Sequence, residues 1–474
     1  MDDRIWAWSA CDVVDALENK TIKVIEVLQQ LETRYSEVNP LLNALPTVFF
    51  EKAYSKVKRF ETERIDFCSP LFGLPVPIKD SYCVKGIRTT FGSLAFENYV
   101  PKYSDIIVTT IEKSGGIIFA KSNTPEFEAG ASTFNEVFGI TRNPWNLKKS
   151  VAGSSGGAAA SVAAGMAYVA QGSDFACSIR YPASFCGIIG LRPTPGTVPY
   201  GPTPLPYQTL SVQGPIARSV KDCGLALDAM SGYNVVDPLT NPIVRKGYRK
   251  AAEKPIKPPS CAFSVDLNIA TVSSDVNSTI NGAIHILEKA GLKVKATCPN
   301  LQNSDMVFKT CRAYQFNALW SDTLKQNRTK LKPEVISNIE QGSKITAEEL
   351  ANAEAERSKI RRAMLDFLED EEFLISATAP VAPNLAEERY VSNISGVMLK
   401  SYIDWLILGY SISITGCPAI SVPCGFNKEG LPIGMQIVAK PHCELSLLQF
   451  AAWIETTLDV QLDYPKTPQK KVDS

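Results

Sequence analysis

A stretch rich in glycine and serine is the part of this sequence whose residue types best suit chemistry. It runs from Lys149 to Pro195 and reads KSVAGSSGGAAASVAAGM, then QGSDFACSIRYPA, then GIIGLRPTP. Glycine and serine at this density bury little apolar surface, so they favour a place where backbone must approach another group closely. We predict a helix from Gly157 to Ala170, entered through Ser154 and Ser155. A tight turn from Gly172 to Ser178 follows and presents its last residue.

A serine presented by a turn is a candidate nucleophile, and its chemistry needs a base and N–H donors for the oxyanion. The sequence contains only 2 histidines. His285 lies in a predicted amphipathic helix and His442 in a predicted loop, which are contexts typical of structural or surface histidines. A lysine can act as the base instead, because burial disfavours its charged form.

One short pattern offers a different enzyme class. Residues 153–157 read GSSGG and satisfy G-x-S-x-G, the nucleophile elbow of α/β-hydrolases, with Ser155 at the centre. This alternative requires His285 or His442 as the base. A pattern of five residues rich in glycine occurs often by chance, and the sequence leaves the alternative open.

The long serine-glycine stretch resembles the amidase signature family, whose pattern runs roughly GGSSGG, a helix, GSDxGGSIRxPA, then GxxGxKPT. Further matching segments are GLPVPIKD (73–80), KSNTPEF (121–127), FGITRNPWN (138–146) and CPAISVPCGF with GLPIGMQ (417–436). The resemblance covers nearly the whole chain. It implies an α/β fold with a mixed twisted sheet flanked by helices, and hydrolysis of a carboxylic amide.

The resemblance also assigns roles to individual residues. It implies a triad of Lys79 as base, Ser154 as the bridging serine after a cis peptide bond, and Ser178 as the nucleophile that forms an acyl-enzyme. The oxyanion hole is then the backbone N–H groups of Phe175, Ala176, Cys177 and Ser178. Ser155, Asp174 and Arg180 are expected beside the triad, where Asp174 and Arg180 hold the turn. No metal and no cofactor are expected.

Three departures from the family pattern bear on activity and substrate. Ala176 and Cys177 replace the glycine pair before the nucleophile, and Ala152 replaces the first glycine of GGSSGG. A side chain is penalised at such a position if the backbone needs a positive φ. Glu128 stands where the resemblance places a small or apolar residue of the substrate channel, and there it could favour substrates that carry a cationic amine.

Two alternatives within the resemblance stay open. The replacement of the glycine pair would also suit a catalytically weakened amidase-fold binding protein. A glutamine-hydrolysing subunit of a transamidation complex, which depends on partner chains, is the other. The main hypothesis is an amidase that acts on a small-molecule amide, and a homodimer is possible.

The bulk composition excludes some partners and favours one compartment. The 474 residues are 45% hydrophobic and carry a formal net charge of zero, so there is no long-range attraction to nucleic acid or to anionic membranes. The 12 cysteines form no CxxC pair, which fits free thiols in a reducing cytoplasm. The first residues lack an apolar segment, so no signal peptide is expected.

The elements that must position these residues form one large domain. Apolar runs at Leu74–Ile78 and Ile117–Ala120 predict strands, and Ile106–Ile111 between them predicts a helix. We therefore predict a single α/β domain over residues 1–464. Its parts are a helical N-terminal layer (1–70), the catalytic core (73–200) and a helical region on the substrate side (300–370). The polar tail, residues 465–474, is expected to be disordered.

Overall fold

The computed structural model describes residues 4–62, 69–243, 245–462 and 466–468. Its first part consists of three helices, α1 (Ala10–Glu18), α2 (Val24–Leu42) and α3 (Phe50–Thr62). The side chain of Ser9 caps α1 by accepting a hydrogen bond from the Asp12 N–H at 3.0 Å. A short strand, β1 (Thr47–Val48), separates α2 from α3.

The strand–helix–strand unit predicted after residue 70 is present and forms a small sheet. Strand β2 (Pro75–Lys79), helix α4 (Ile106–Lys113) and strand β3 (Ile117–Ser122) follow one another, and β2 pairs with β3 in parallel. β1 pairs with the other edge of β3 in antiparallel. Two-residue strands β4 (Phe134–Asn135) and β5 (Gly139–Ile140) form a separate hairpin.

An eight-stranded mixed sheet forms the centre of the molecule. Its strands are β6 (Val169–Asp174), β7 (Ile189–Arg192), β8 (Val212–Ala217), β9 (Ser260–Phe263), β10 (Lys293–Ala296), β11 (Phe373–Ala377), β14 (Ala419–Phe426) and β15 (Pro432–Ala439). The strand order is β10-β9-β11-β15-β14-β7-β8-β6. β9 pairs in parallel with β10 and β11, and the remaining neighbours are antiparallel. The short strands β12 (Asn393–Ile394) and β13 (Val397–Met398) pair with each other.

Helices cover the large sheet and continue into a helical region after β10. Those that pack on or near the sheet are α5 (Gly156–Ala163), α6 (Arg180–Cys186), α7 (Val220–Met230), α8 (Tyr248–Ala252), α9 (Ser274–Lys289), α13 (Ile407–Ser413) and α14 (Glu444–Leu458). The helical region contains α10 (Ser304–Asn327), α11 (Pro333–Gly342) and α12 (Ala347–Asp370). The predicted single α/β domain with a mixed sheet flanked by helices is confirmed. Within the described ranges, no helix is both long enough and apolar enough to cross a bilayer.

Two local predictions need correction. The helix predicted from Gly157 to Ala170 ends at Ala163, and residues from Val169 to Asp174 form the strand β6. Every residue of both elements is buried, so the hydrophobic period that separates helix from strand is absent. In the tail, the Lys466 N–H donates to the Ala163 carbonyl at 2.8 Å and Pro468 is buried. Residues 466–468 are therefore packed on the domain, and the other tail residues lie outside the described ranges.

The two sheets meet where the predicted site lies. Lys79 is the last residue of β2, at the end of the small sheet, and its backbone N–H donates to Gln171 Oε1 on β6 at 3.0 Å. β6 is an edge strand of the large sheet. This contact places the end of β2 beside the end of β6, where the serine-rich turns begin.

Candidate active site

Lys79 is the centre of a buried polar cluster. Its side chain is fully buried, and Nζ donates hydrogen bonds to Ser154 Oγ at 2.6 Å and to Ser173 Oγ at 2.8 Å. Glu128 Oε1 lies 2.7 Å from the same nitrogen. These three acceptors match the three hydrogens of an ammonium group.

Opposing effects set the charge of this lysine. Burial lowers the pKa of Lys79, while the Glu128 carboxylate opposes that fall. Burial alone would raise the pKa of Glu128, but Lys79 and the hydroxyls of Ser173 and Ser81 leave it below its ordinary value. The two groups therefore form a tight ion pair in the resting site.

Glu128 lines the cavity in front of the lysine, but it is not a free carboxylate. Its Oε1 also accepts hydrogen bonds from Ser173 Oγ at 2.6 Å and from Ser81 Oγ at 2.7 Å. The side chain is 25% exposed. Phe127 and Glu128 both adopt left-handed φ values, 46° and 59°, an uncommon backbone for residues with side chains. This turn carries the carboxylate to the lysine.

The turn that contains Ser154 and Ser155 lies directly against the turn that ends at Ser178. The peptide bond between Gly153 and Ser154 is cis. Ser155 follows at the N-terminal end of α5, and its backbone N–H donates to the Ser178 carbonyl at 3.1 Å. Ser178 is 7% exposed. The fold thus places Ser178 beside Ser155, whose neighbour Ser154 accepts a hydrogen bond from Lys79. The catalytic roles of Lys79, Ser154 and Ser178 stay a prediction.

Asp174 holds the turn that precedes Ser178. Its carboxylate accepts from the Ile179 N–H at 3.1 Å, forms an ion pair with Arg180 at 2.9 Å and contacts Arg192 at 3.3 Å. Burial opposes its charge, but the two guanidinium groups lower the pKa of Asp174 to about 2. Arg180 Nη2 also donates to the Ala176 carbonyl at 2.7 Å. The turn from Phe175 to Ser178 is therefore fixed at both ends.

The residues that replace the family's glycines are accommodated in different ways. Ala176 and Cys177 do not adopt a positive φ, so their side chains carry no backbone penalty. Ala152 does adopt one, at 55°. Space for the Cys177 side chain comes from Gly409 on α13, where an added Cβ would lie 2.3 Å from the Cβ of Cys177. Both side chains of the pair are buried.

The geometry does not support the α/β-hydrolase alternative. Ser155 Oγ donates to the Ser173 carbonyl and accepts from the Ser173 N–H, both at 3.2 Å. His285 and His442 are both exposed, so neither is placed to act on a buried serine. In the part of the chain that the structure describes, no His, Cys, Asp and Glu side chains group in a way that could hold a metal ion.

Several residues of this region are not predicted from the sequence. Ser173 belongs to the GSD motif, and a hydroxyl within a strand of small residues is the available signal. Arg192 ends a buried strand at the lysine position of GxxGxKPT, which signals a buried cation. Gly409 carries no local signal, because its contact with Cys177 exists only in the folded chain.

A cavity of about 360 Å³ opens in front of Glu128. Its walls come from five separate parts of the chain and are largely aromatic, with Phe91, Phe96, Tyr99, Tyr103, Phe127, Phe175, Phe316 and Trp320 among the lining residues. Trp320 of α10 stacks on Phe127 with ring centroids 4.0 Å apart. A cavity of this size and lining suits a small molecule with an apolar or aromatic part.

Comparison with known proteins identifies the family. The Amidase family matches residues 26–448. The chain is 32% identical to a glutamyl-tRNA(Gln) amidotransferase subunit of Prochlorococcus marinus, over 96% of this chain and 98% of that protein. It is 30% identical to an acylamidase of Rhodococcus erythropolis, over 94% of each. The crystal structure of a bacterial aryl acylamidase superposes with a TM-score of 0.90 at 22% identity, covering 98% of this chain and 99% of that one. The chain therefore belongs to the amidase signature family and is an enzyme that hydrolyses the C–N bond of carboxylic amides.

Proposed function

We propose that the protein hydrolyses its amide through an acyl-enzyme on Ser178. Lys79, as the neutral amine, takes the proton of Ser154 Oγ while Ser154 takes the proton of Ser178 Oγ. The oxygen of Ser178 attacks the amide carbon, and the backbone N–H groups of residues 175–178 stabilise the oxyanion. The observation that carries this proposal is the 2.6 Å contact between Lys79 Nζ and Ser154 Oγ in a fully buried setting.

The second half of the reaction returns the enzyme to its resting state. The proton held by Lys79 passes through Ser154 to the leaving amine, and the C–N bond breaks. Water then attacks the ester carbon and gives a proton through Ser154 to Lys79. The bond between Ser178 Oγ and the acyl carbon breaks, Ser178 Oγ takes that proton back through Ser154, and the carboxylic acid leaves. Esters should also be substrates, because an alkoxide leaves more easily than an amine.

Glu128 enters this proposal as a group that sets the charge of Lys79. Its carboxylate favours the ammonium form and so holds the base protonated until the pH rises. A role in binding a cationic amine, which the sequence suggested, is weakened because Oε1 already receives three donors. We therefore favour the lysine as the partner of Glu128.

The aromatic cavity supports an apolar or aromatic amide as the substrate. Stacked rings such as Phe127 and Trp320 offer contact surface for a ring or an alkyl chain. A panel of anilides, aliphatic amides and peptide amides, assayed with wild type and Ser178→Ala, tests this. The proposal predicts turnover of an aromatic or apolar member, and loss of that turnover in Ser178→Ala. Equal activity of the two proteins would contradict it.

A second candidate is a glutamine-hydrolysing subunit of a transamidation complex. The 32% identity to a glutamyl-tRNA(Gln) amidotransferase subunit over 96% of the chain favours it. It predicts that the isolated chain prefers glutamine and that partner chains raise its turnover. Glutamine is added to the same panel, and preference for an anilide over glutamine would exclude this candidate.

Assembly and location are further proposals. Each cysteine in the described ranges is a free thiol, which supports a reducing compartment such as the cytoplasm. A homodimer stays a prediction, and sedimentation of the purified chain tests it.

A further inference from the structure

Arg312 is a buried cation without an acidic partner. Its side chain, on α10, is 4% exposed. Nε donates to Asn338 Oδ1 at 3.2 Å and Nη2 donates to the Tyr402 hydroxyl at 2.9 Å. Within the residues that the structure describes, no Asp or Glu forms an ion pair with it. A guanidinium carries five N–H donors, so donors remain, and an uncompensated buried charge is costly unless something pairs with it.

Gln315 adds a second unused polar group one helical turn later. It is 8% exposed, and no side chain or backbone group of the described chain hydrogen-bonds its side-chain amide. Arg312, Gln315, Phe316 and Leu319 all line the cavity. Their spacing of i, i+3, i+4 and i+7 puts them on one face of α10. That face therefore offers the cavity a polar pair followed by an apolar surface.

The other charges on the cavity wall are already engaged. Glu128 pairs with Lys79. Asp105 accepts from the Cys83 N–H at 2.9 Å at the N-terminal end of α4, and burial disfavours its charge and raises its pKa to about 6. Arg312 is thus the charged group of the wall that is left for a ligand.

Arg312 also lies close to the proposed oxyanion turn. Its guanidinium carbon is 5.8 Å from the ring centroid of Phe175, the first residue of the proposed oxyanion turn, and 4.4 Å from that of Phe316. Aromatic rings at these distances attract the cation, while the N–H groups of a guanidinium donate hydrogen bonds in its own plane. A planar carboxylate matches such an edge.

We propose that Arg312 and Gln315 bind a carboxylate carried by the amide substrate, so that the enzyme prefers amides with an anionic group a short distance from the scissile bond. This inference rests on the proposed amidase function of the same site. It names a substrate class, an acidic amide with an apolar spacer, rather than a neutral one.

Matched substrate pairs test the proposal. The first pair is glutaryl para-nitroanilide and its methyl-ketone analogue, in which an acetyl group replaces the carboxylate of the acyl half. The second pair is the hexanoyl amide of para-aminobenzoate and its para-acetyl analogue, which place the difference in the amine half. Wild type should prefer the carboxylate member of at least one pair. Arg312→Met should lower kcat/KM for that member by about 10- to 100-fold, mainly through KM, and change the ketone member by less than about threefold.

Controls separate recognition from structure. Lys325→Met removes a positive charge from the exposed end of the same helix and should change neither member. Arg312→Lys should restore part of the preference, and Gln315→Leu should lower it by a few-fold. If Arg312→Met does not fold, as judged by its melting curve, Arg312→Lys and Gln315→Leu carry the comparison. Equal losses on both members of a pair, or no carboxylate preference in wild type, would overturn the proposal.

Binding measured without turnover distinguishes this inference from the proposed function. Calorimetric titration of Ser178→Ala with both members of each pair should show tighter binding of a carboxylate, and Arg312→Met in that background should abolish the difference. A wild type that binds the carboxylate member selectively but hydrolyses no amide would contradict the proposed function and leave this inference standing. Equal affinity for both members would overturn the inference alone.

Discussion

The cluster around Lys79 and the wall formed by α10 use polar groups in opposite ways. Lys79 directs its three ammonium hydrogens at Ser154, Ser173 and Glu128, all within 2.8 Å. On α10, Arg312 and Gln315 are also buried but keep hydrogen-bonding capacity that the described chain does not use. The hydrogens of Lys79 all have acceptors without a ligand, whereas Arg312 and Gln315 gain their remaining hydrogen-bond partners from a bound substrate.

We assign different roles to the two regions: the cluster around Lys79 carries out the reaction, and the wall formed by α10 selects the substrate. A preorganised network suits groups that must hold one geometry during proton transfer. Unused donors in a largely buried wall favour a substrate that can pair with them, because a neutral analogue leaves them unpaired. Changes in the first region should therefore alter kcat or folding, while changes in the second should alter the choice of substrate.

The largest expected effect is the loss of the base. Lys79→Arg should lower kcat/KM by at least about 10³-fold on every substrate, because a guanidinium stays protonated and cannot accept the proton of Ser154. Steady-state kinetics at several pH values measures this. Lys85→Arg, an exposed lysine nearby in the chain, is the matched control and should behave as wild type. Substantial turnover by Lys79→Arg would contradict the role of Lys79 as the base.

The next largest effect is on stability and concerns Asp174, which holds the turn from Phe175 to Ser178. Asp174→Asn leaves the buried guanidinium groups of Arg180 and Arg192 without their carboxylate, which should cost about 3–5 kcal/mol in the free energy of unfolding. Because the pKa of Asp174 is lowered to about 2 in the folded protein, its stabilisation is complete above the unfolded value of about 4 and is lost as the pH falls towards 2.

Denaturant unfolding at neutral pH and below pH 4 checks both parts of that prediction. Wild type should lose stability on acidification, and Asp174→Asn should lose less over the same range. A variant as stable as wild type at neutral pH would show that Asp174 does not hold the turn.

A smaller effect should come from the fit between Gly409 and Cys177. Gly409→Ala should destabilise the protein by about 1–3 kcal/mol, because its new Cβ would meet Cys177 Cβ at 2.3 Å and the Ala176 carbonyl oxygen at 2.8 Å. Cys177→Gly should recover part of this loss and no more, since the carbonyl contact remains. A double-mutant cycle on the free energy of unfolding measures the coupling, and strictly additive losses would contradict the fit.

The smallest change expected in rate, but the most specific, concerns Glu128. Replacing it with glutamine removes the charge that opposes the lowered pKa of Lys79. That pKa should fall further, and the acidic limb of kcat/KM against pH should move to lower pH. Glu126→Gln, whose carboxylate instead accepts from Ser93 at 2.6 Å, is the control and should leave the limb in place. A limb that stays or moves to higher pH in Glu128→Gln would show that Glu128 does not set the charge of the base.

The sequence is most informative where the residues lie in one contiguous pattern, although the catalytic roles of these residues stay a prediction. Ser154, Asp174, Ser178 and Arg180 fall within a single stretch, and its spacing against a known family pattern is enough to place them together. The family and the fold class follow from the same stretch. The helix predicted over Gly157–Ala170 is wrong in its second half because a wholly buried segment has no polar face to reveal its period.

The substrate side is predicted poorly because its residues meet only in the folded chain. Arg312 and Gln315 lie in an ordinary helical pattern, and nothing local distinguishes them from surface residues. Glu128 departs visibly from the family pattern, but its contact with Lys79 depends on a left-handed turn that residues 126–128 do not signal. Predicting the specificity therefore requires the tertiary structure, whereas the motif alone predicts the class of reaction.

The central claim, an acyl-enzyme on Ser178 activated through Ser154 and Lys79, is tested most directly by covalent labelling. The purified protein is treated with a fluorophosphonate probe, digested, and the modified serine is located by peptide mass spectrometry. The account predicts one modified residue, Ser178, and no labelling in Lys79→Arg or after denaturation. Modification of Ser155 instead of Ser178, or equal labelling of the Lys79→Arg variant, would contradict it.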